Sequence, residues 1–184
     1  MSIYGGTQLA SSFRSVRANT ITIAEEIPED QYGYRPVADV KSVGEQLAHI
    51  AVATGWQIEL HTTRVGHVDY AMFGAHVARS ASEEQGLNSK AAILEALRTG
   101  GERFATFLEG VDDALLEQQV TFPPQVQPSL RTRFEMLQAV KEHEMHHRAQ
   151  LMVYERLLGI VPHLTRRRAA AAAAATPATA GAAR

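Results

Sequence analysis

The chain predicts an all-α fold: a four-helix bundle with a long connection between its second and third helices. Two observations carry this. Apolar residues recur at three- and four-residue steps in four separate long stretches, the period of a helix that buries one face. Between the stretches lie capping residues, glycines and prolines that start and stop helices. Four such faces are best buried against one another. At 184 residues the chain is long enough for one domain with a full core.

The first stripe is Leu9, Phe13, Val16, Thr20, Ile23 and Ile27, and it stops before Pro28. Glu29 to Val40, with Tyr32, Tyr34 and Pro36, reads as a structured connection. Ser42 is a strong N-cap, and Glu45 three residues on completes a capping box. The second helix then runs to about His61. On it Val43, Ile50, Ala53, Trp56 and Leu60 share an arc with His49, counting about 100° per residue. Residues 62–88 mix Gly66, Gly74 and Gly86 with Tyr70, Met72 and Phe73. A loop of that length in a compact domain is functional or holds a short helix of its own.

Asn88 or Ser89 caps the third helix, with Leu94, Leu97, Phe104 and Leu108 inward. Gly100-Gly101 is its weak point, each glycine costing about 1 kcal/mol relative to alanine. Residues 118–130 read as extended and turn-rich. The last helix spans roughly 131–158 and carries Leu137, Val140, His147, Leu151, Tyr154 and Leu158. Gly159 is placed to stop it, with Pro162 beyond. The bundle domain is therefore 1–162, and 163–184 is a low-complexity Arg/Ala-rich tail outside the core. The tail reads as a dispensable extension; the alternative is a nucleic-acid or membrane contact through Arg166-Arg167-Arg168.

Bulk properties narrow the function. A net charge of −2 leaves no basic footprint, so nucleic acid is not the expected partner. The chain has no cysteine, which removes disulfides, thiolate metal sites and a cysteine nucleophile. Met1 to Gly6 shows no charged start before an apolar run, so no signal peptide is expected. No apolar stretch approaches the roughly 20 residues of a membrane span. A cytoplasmic protein with a small-molecule substrate is the expectation.

The chemistry concentrates in His143-Glu144-Met145-His146-His147 on the last helix. His143 and His147 stack on one face, one turn apart, and can grip one metal ion. His49, on the apolar arc of the second helix, is a third candidate ligand, though a lone histidine there is more often a hydrogen-bonded core residue. Two imidazoles side by side in a core cannot both be charged cheaply, and a dication uses them neutral. Three neutral histidines leave a metal at least one open position.

His146 projects about 100° away and is read as a flanking residue. Glu144, at the edge of the apolar stripe, could fix a ligand histidine's tautomer or act as general base on water activated by the metal. A solvated or salt-bridged glutamate is the plainer alternative. Gln150, one turn beyond His147 on the metal side, could hydrogen-bond a ligand or substrate. Trp56 could wall the pocket, or simply pack. The segment also fits H-E-x-x-H, the zinc-protease helix. The extended protease pattern needs a glycine at 150 and a histidine at 153, where the chain has Gln150 and Val153. The protease reading is set aside.

Taken in order, three segments resemble the DinB/YfiT-like superfamily. Ile27-Pro28-Glu29-Asp30 through Tyr34-Arg35-Pro36 resembles its first connection, and Ser42 through Ile50 its second-helix histidine segment. His143 through Leu151, followed by Arg156 through Pro162, resembles its last-helix motif. The resemblance runs nearly to Pro162. It implies a four-helix bundle, often a homodimer, with zinc or nickel held by three histidines, here His49, His143 and His147. Relatives include mycothiol-dependent maleylpyruvate isomerase and bacillithiol transferases, whose chemistry implies a metal that holds a low-molecular-weight thiol as thiolate. Three readings follow. The first is a metal-dependent thiol transferase with Glu144 and Gln150 beside the ligands. The second is a metal-dependent hydrolase with Glu144 as base. The third is a non-enzymatic metal-binding stress or sensor protein.

Overall fold

A computed structural model of the protein describes residues 4–175. The readings of the extreme N-terminus and of the end of the tail fall outside the described residues. The elements are α1 (Gly6–Glu26), α2 (Val43–Thr62), α3 (Tyr70–Gly86), α4 (Lys90–Glu109), α5 (Asp113–Leu116), β1 (Gln119–Thr121), β2 (Leu130–Thr132), α6 (Arg133–Leu157) and α7 (His163–Ala175).

The bundle is a ring of α1, α4, α2 and α6. Helix α1 packs on α4 and α6, and α2 packs on the same two. Helices α1 and α2 follow one another in the chain yet sit at opposite corners. Among the described residues no helix is long and apolar enough to cross a membrane.

The start and stop signals act as read. The Ser42 side chain accepts from the Glu45 amide at 3.3 Å, and the Glu45 carboxylate accepts from the Ser42 amide at 2.8 Å. Thr132 and Glu135 repeat the box on α6, and Ser89 caps α4. Gly159 sits at φ +79°, where a side chain would be strained, so α6 ends there. Residues 118–130 hold strand β1 and the turns leading into β2, an antiparallel pair with Val120 opposite Arg131.

Four readings need correction. The 62–88 segment holds a helix of 17 residues, α3, where only a loop or short helix was expected. None of its residues is buried, and a helix that buries no face shows no apolar stripe to find. On α4, Ile93 is buried and Leu94 only partly so. On α2, Ala53 and Trp56 are half-buried, at the rim of the core rather than inside it. The tail region begins with helix α7, whose first residue, His163, is buried and bonds Asn19 Oδ1 through Nε2 at 3.0 Å. From Thr165 to Ala175 it is exposed.

The core has an apolar cluster at each end of the bundle. One surrounds Ile23, Leu47, Ile50, Leu97 and Leu151; the other surrounds Phe13, Phe104, Leu108 and Leu137. Between them lies one buried ion pair. Arg17 on α1 is 4% exposed and Glu144 on α6 is 2% exposed. The Arg17 Nε lies 3.0 Å from both Glu144 oxygens, and Nη2 is 2.9 Å from Oε2. The guanidinium also donates to Leu97 O on α4 at 2.8 Å and to Ile50 O on α2 at 3.4 Å. Thr20 donates to Glu144 Oε1 at 2.7 Å. One side chain thus bonds to all three other helices of the ring.

This explains the second glycine of the pair in α4. A Cβ on Gly101 would stand 2.8 Å from Arg17 Cγ, so a side chain there would displace the arginine. The supposed weak point is where α4 makes room for the ion pair.

Candidate metal centre

The ring places α2 beside α6, so His49 faces His143 and His147. His143 Nε2 lies 3.1 Å from His49 Nε2 and 3.0 Å from His147 Nε2. One ligand atom from each residue falls within 4.8 Å of the others. Nitrogens held about 2.0–2.1 Å from a tetrahedral ion are about 3.3 Å apart, so the donor set fits one small divalent ion. The arrangement could hold a metal.

Hydrogen bonds set which nitrogen faces the centre. His49 Nδ1 is 2.7 Å from Glu84 Oε1 on α3. A carboxylate only accepts, so Nδ1 carries the proton and Nε2 keeps its lone pair. His147 Nδ1 is 3.3 Å from Gln150 Oε1, which orients that ring the same way. Gln46 donates its Nε2 proton to the same Gln150 oxygen. Lys41 Nζ donates to Glu84 Oε2 at 2.8 Å. Burial pushes the Glu84 carboxyl up, but the bonds from Lys41 and His49 outweigh it and hold it below the usual carboxylate range.

The electrostatics also suit a cation. Burial, then the neighbouring histidines, lowers His143 to about 4. Burial, then His49, lowers His147 to about 4 as well, against the raising effect of Gln150. At neutral pH these two rings are uncharged, and their Nε2 atoms lie close together beside that of His49.

Not every expected residue joins the site. Glu144 does not: it lies on the α1 side of α6, held by Arg17 and Thr20, and its bonds reach no histidine of the cluster. The general-base and tautomer-fixing roles expected of it are withdrawn. The physical reason is that α6 has interior on both flanks. His143 points toward α2, and Glu144, a step of about 100° round, points into the core. His146 is exposed and pairs with Gln150 Nε2 at 3.0 Å, away from the centre. Gln150 does sit beside His147, as expected.

Glu84, Lys41 and Gln46 were not singled out from the sequence. Glu84 lies on α3, which carried no readable pattern. Gln46 did leave a signal: it is 3% exposed, a polar residue one turn before His49 on a buried face.

His49 and His143 open onto a cavity of about 500 Å³ between α2, α3 and α6. Val52, Ala53, Trp56, Val77 and Val140 supply its apolar wall, and His49, His143 and Glu84 its polar corner. Trp56 stacks on His76, with ring centroids 4.1 Å apart.

The chain belongs to the DinB superfamily: residues 12–151 match the family model. It is similar to YjoA of Bacillus subtilis (strain 168), an uncharacterized protein, at 27% identity over 152 residues, covering 83% of this chain and 90% of YjoA. The crystal structure of YjoA, a DinB-like protein, matches with a TM-score of 0.61 at 26% identity, covering 83% of this chain and 92% of that one. YfiT of Bacillus subtilis matches in fold with a TM-score of 0.68 at 16% identity, covering 87% and 91%. YfiT is described as a probable metal-dependent hydrolase with an unusual four-helix bundle topology.

Proposed function

We propose that the protein binds one divalent metal, zinc or nickel, through Nε2 of His49, His143 and His147, and is a metal-dependent transferase acting with a low-molecular-weight thiol. The observation that carries this reading is the convergence of three imidazole nitrogens at the corner of an apolar cavity whose one nearby carboxylate, Glu84, is already engaged by His49 and Lys41. A dication held there supplies positive charge that lowers the pKa of a thiol or water at an open position.

The chain's own residues do the rest. Glu84 and Gln150 accept the Nδ1 protons of His49 and His147 and aim their Nε2 lone pairs inward. Lys41 keeps Glu84 an acceptor. Val52, Ala53 and Trp56, on the same helix as His49, form the apolar side of the cavity. A thiolate nucleophile needs no general base once its proton is lost, which suits a cavity with no carboxylate to spare.

Hydrolysis is the second reading, favoured by the shared fold with YfiT; with Glu144 turned into the core, it would need a base other than the one the sequence offered. Metal content by plasma mass spectrometry on tag-free wild type and His49→Ala tests the centre. About one zinc or nickel per chain, lost in the variant, is expected. Incubation of metal-loaded protein with small thiols and a panel of electrophiles then separates the two reactions. Formation of thiol conjugates supports transfer; water adducts alone would move the assignment to hydrolysis.

A further inference from the structure

A second cavity, of about 350 Å³, adjoins the first. The two share Trp56, Gln57, Met136 and Ala139 in their linings. The second chamber contains none of the three histidines. Its walls are mostly apolar, with Tyr70 and Phe73 from α3, Phe122, Pro123 and Val126 from the hairpin, and the shared residues from α2 and α6; Asp69 and Arg131 are its charged members. The hairpin is fastened to the start of α3, since Tyr70 Oη donates to Gln125 Oε1 at 2.5 Å and His67 bridges to Thr121. The chamber is thus a walled space and not a gap between loose loops. Together the chambers have the size and apolar, aromatic lining of a small-molecule site, for which roughly 300–1,000 Å³ is usual.

The geometry points to an elongated ligand with an aromatic or similarly apolar body. Its reacting end lies in the first chamber beside His49 and His143, and its body runs past Trp56 and Met136 into the second. The first chamber carries the histidine corner with Glu84 and Lys41, and Gln57, His76 and Ser80 also line it; the second offers the aromatic faces of Tyr70, Phe73 and Phe122. A short polar substrate would leave those faces wet. A body reaching them gains about 0.8 kcal/mol for each methylene buried, or about fourfold in affinity. The inference rests on the proposed metal centre only for which end of the ligand reacts.

Trp56 is the only tryptophan in the chain and borders both chambers, so its emission reports occupancy directly. The probes are neutral phenyl alkanols, from benzyl alcohol to phenylhexanol, titrated into full-length protein with and without zinc. Dissociation constants should fall by about fourfold per methylene over the first several members, with a shift in Trp56 emission. Ala139 is exposed and lies on the wall common to both chambers, so Ala139→Phe should fold normally and block the passage. It should erase the gain in affinity with chain length. Phe73→Ser, also at an exposed site, should halve or more the gain from the opposite wall. Affinity independent of chain length, or a gain that survives in Ala139→Phe, overturns the inference. Metal content of the same samples keeps the two ideas apart: a length-dependent gain in protein that takes up no metal would sink the metal centre and leave the chamber assignment standing.

Discussion

Helix α6 buries two glutamates three turns apart, and their surroundings are opposite. Glu144 meets a guanidinium and a hydroxyl, and its charge is fully answered. Glu155 is 0% exposed, and neither of its carboxylate oxygens meets a hydrogen-bond donor. Burial, and then the nearby charge of Glu26, raises it to about 7. The first glutamate joins the ring through Arg17, with α6 next to the histidine that faces the cavity. The second sits near the C-terminal end of α6, in the field of Glu26, Arg156 and Arg166. A buried charge locks a register when it is paired, and when it is unpaired it makes the fold depend on a proton.

The largest effect should come from making Glu144 resemble Glu155. Arg17→Met leaves a buried carboxylate without its partner and should cost about 3–5 kcal/mol, read by urea unfolding at neutral pH. Arg17→Met with Glu144→Leu should recover most of that loss, because no charge is then stranded. A double variant no more stable than the single one would mean that the pair acts through shape and not charge.

The converse change removes the proton dependence at the other end. The folded pKa of Glu155 lies above the ordinary 4.5, so the folded state holds the proton more tightly. That contribution is fully present below about pH 4.5 and is lost as the pH rises through about 7. Glu155→Gln, which stays neutral, should match wild type at pH 4 and be more stable by about 2–3 kcal/mol at pH 8. A constant difference at all pH values would show that Glu155 titrates normally.

Smaller effects separate the metal corner from the scaffold. Glu84→Gln keeps an oxygen near His49 but loses the carboxylate, and metal affinity should drop about tenfold in a chelator competition. Unfolding midpoints of the metal-free protein should barely move. Ser42→Ala removes a cap that bonds none of the three histidines and should cost about 1 kcal/mol of stability with metal affinity unchanged.

Much of this was legible in local sequence. The stripes on α1, α4 and α6, the Ser42–Glu45 box, and Gly159 all act over one or two turns, and each is visible within a short window. The pair His143 and His147 is legible for the same reason, since an i, i+4 spacing is a fact about one helix. Helix α3 was not, because it buries no face. Glu84 was hidden with it, although it is the residue that orients His49. Glycines 100 and 101 were read by propensity alone and looked like a defect, until Arg17 was seen to pass over one of them.

The sequence by itself determined four amphipathic helices, their ends, and two histidines on one face of the last. Only the tertiary structure decided which neighbour covers which flank of that helix. Burial periodicity tells a residue that it faces inward, but α6 has α1 on one side and α2 on the other. His143 therefore meets His49, and Glu144, adjacent in the chain, meets Arg17. That choice depends on the ring order α1, α4, α2, α6, a long-range property that no local window of sequence contains.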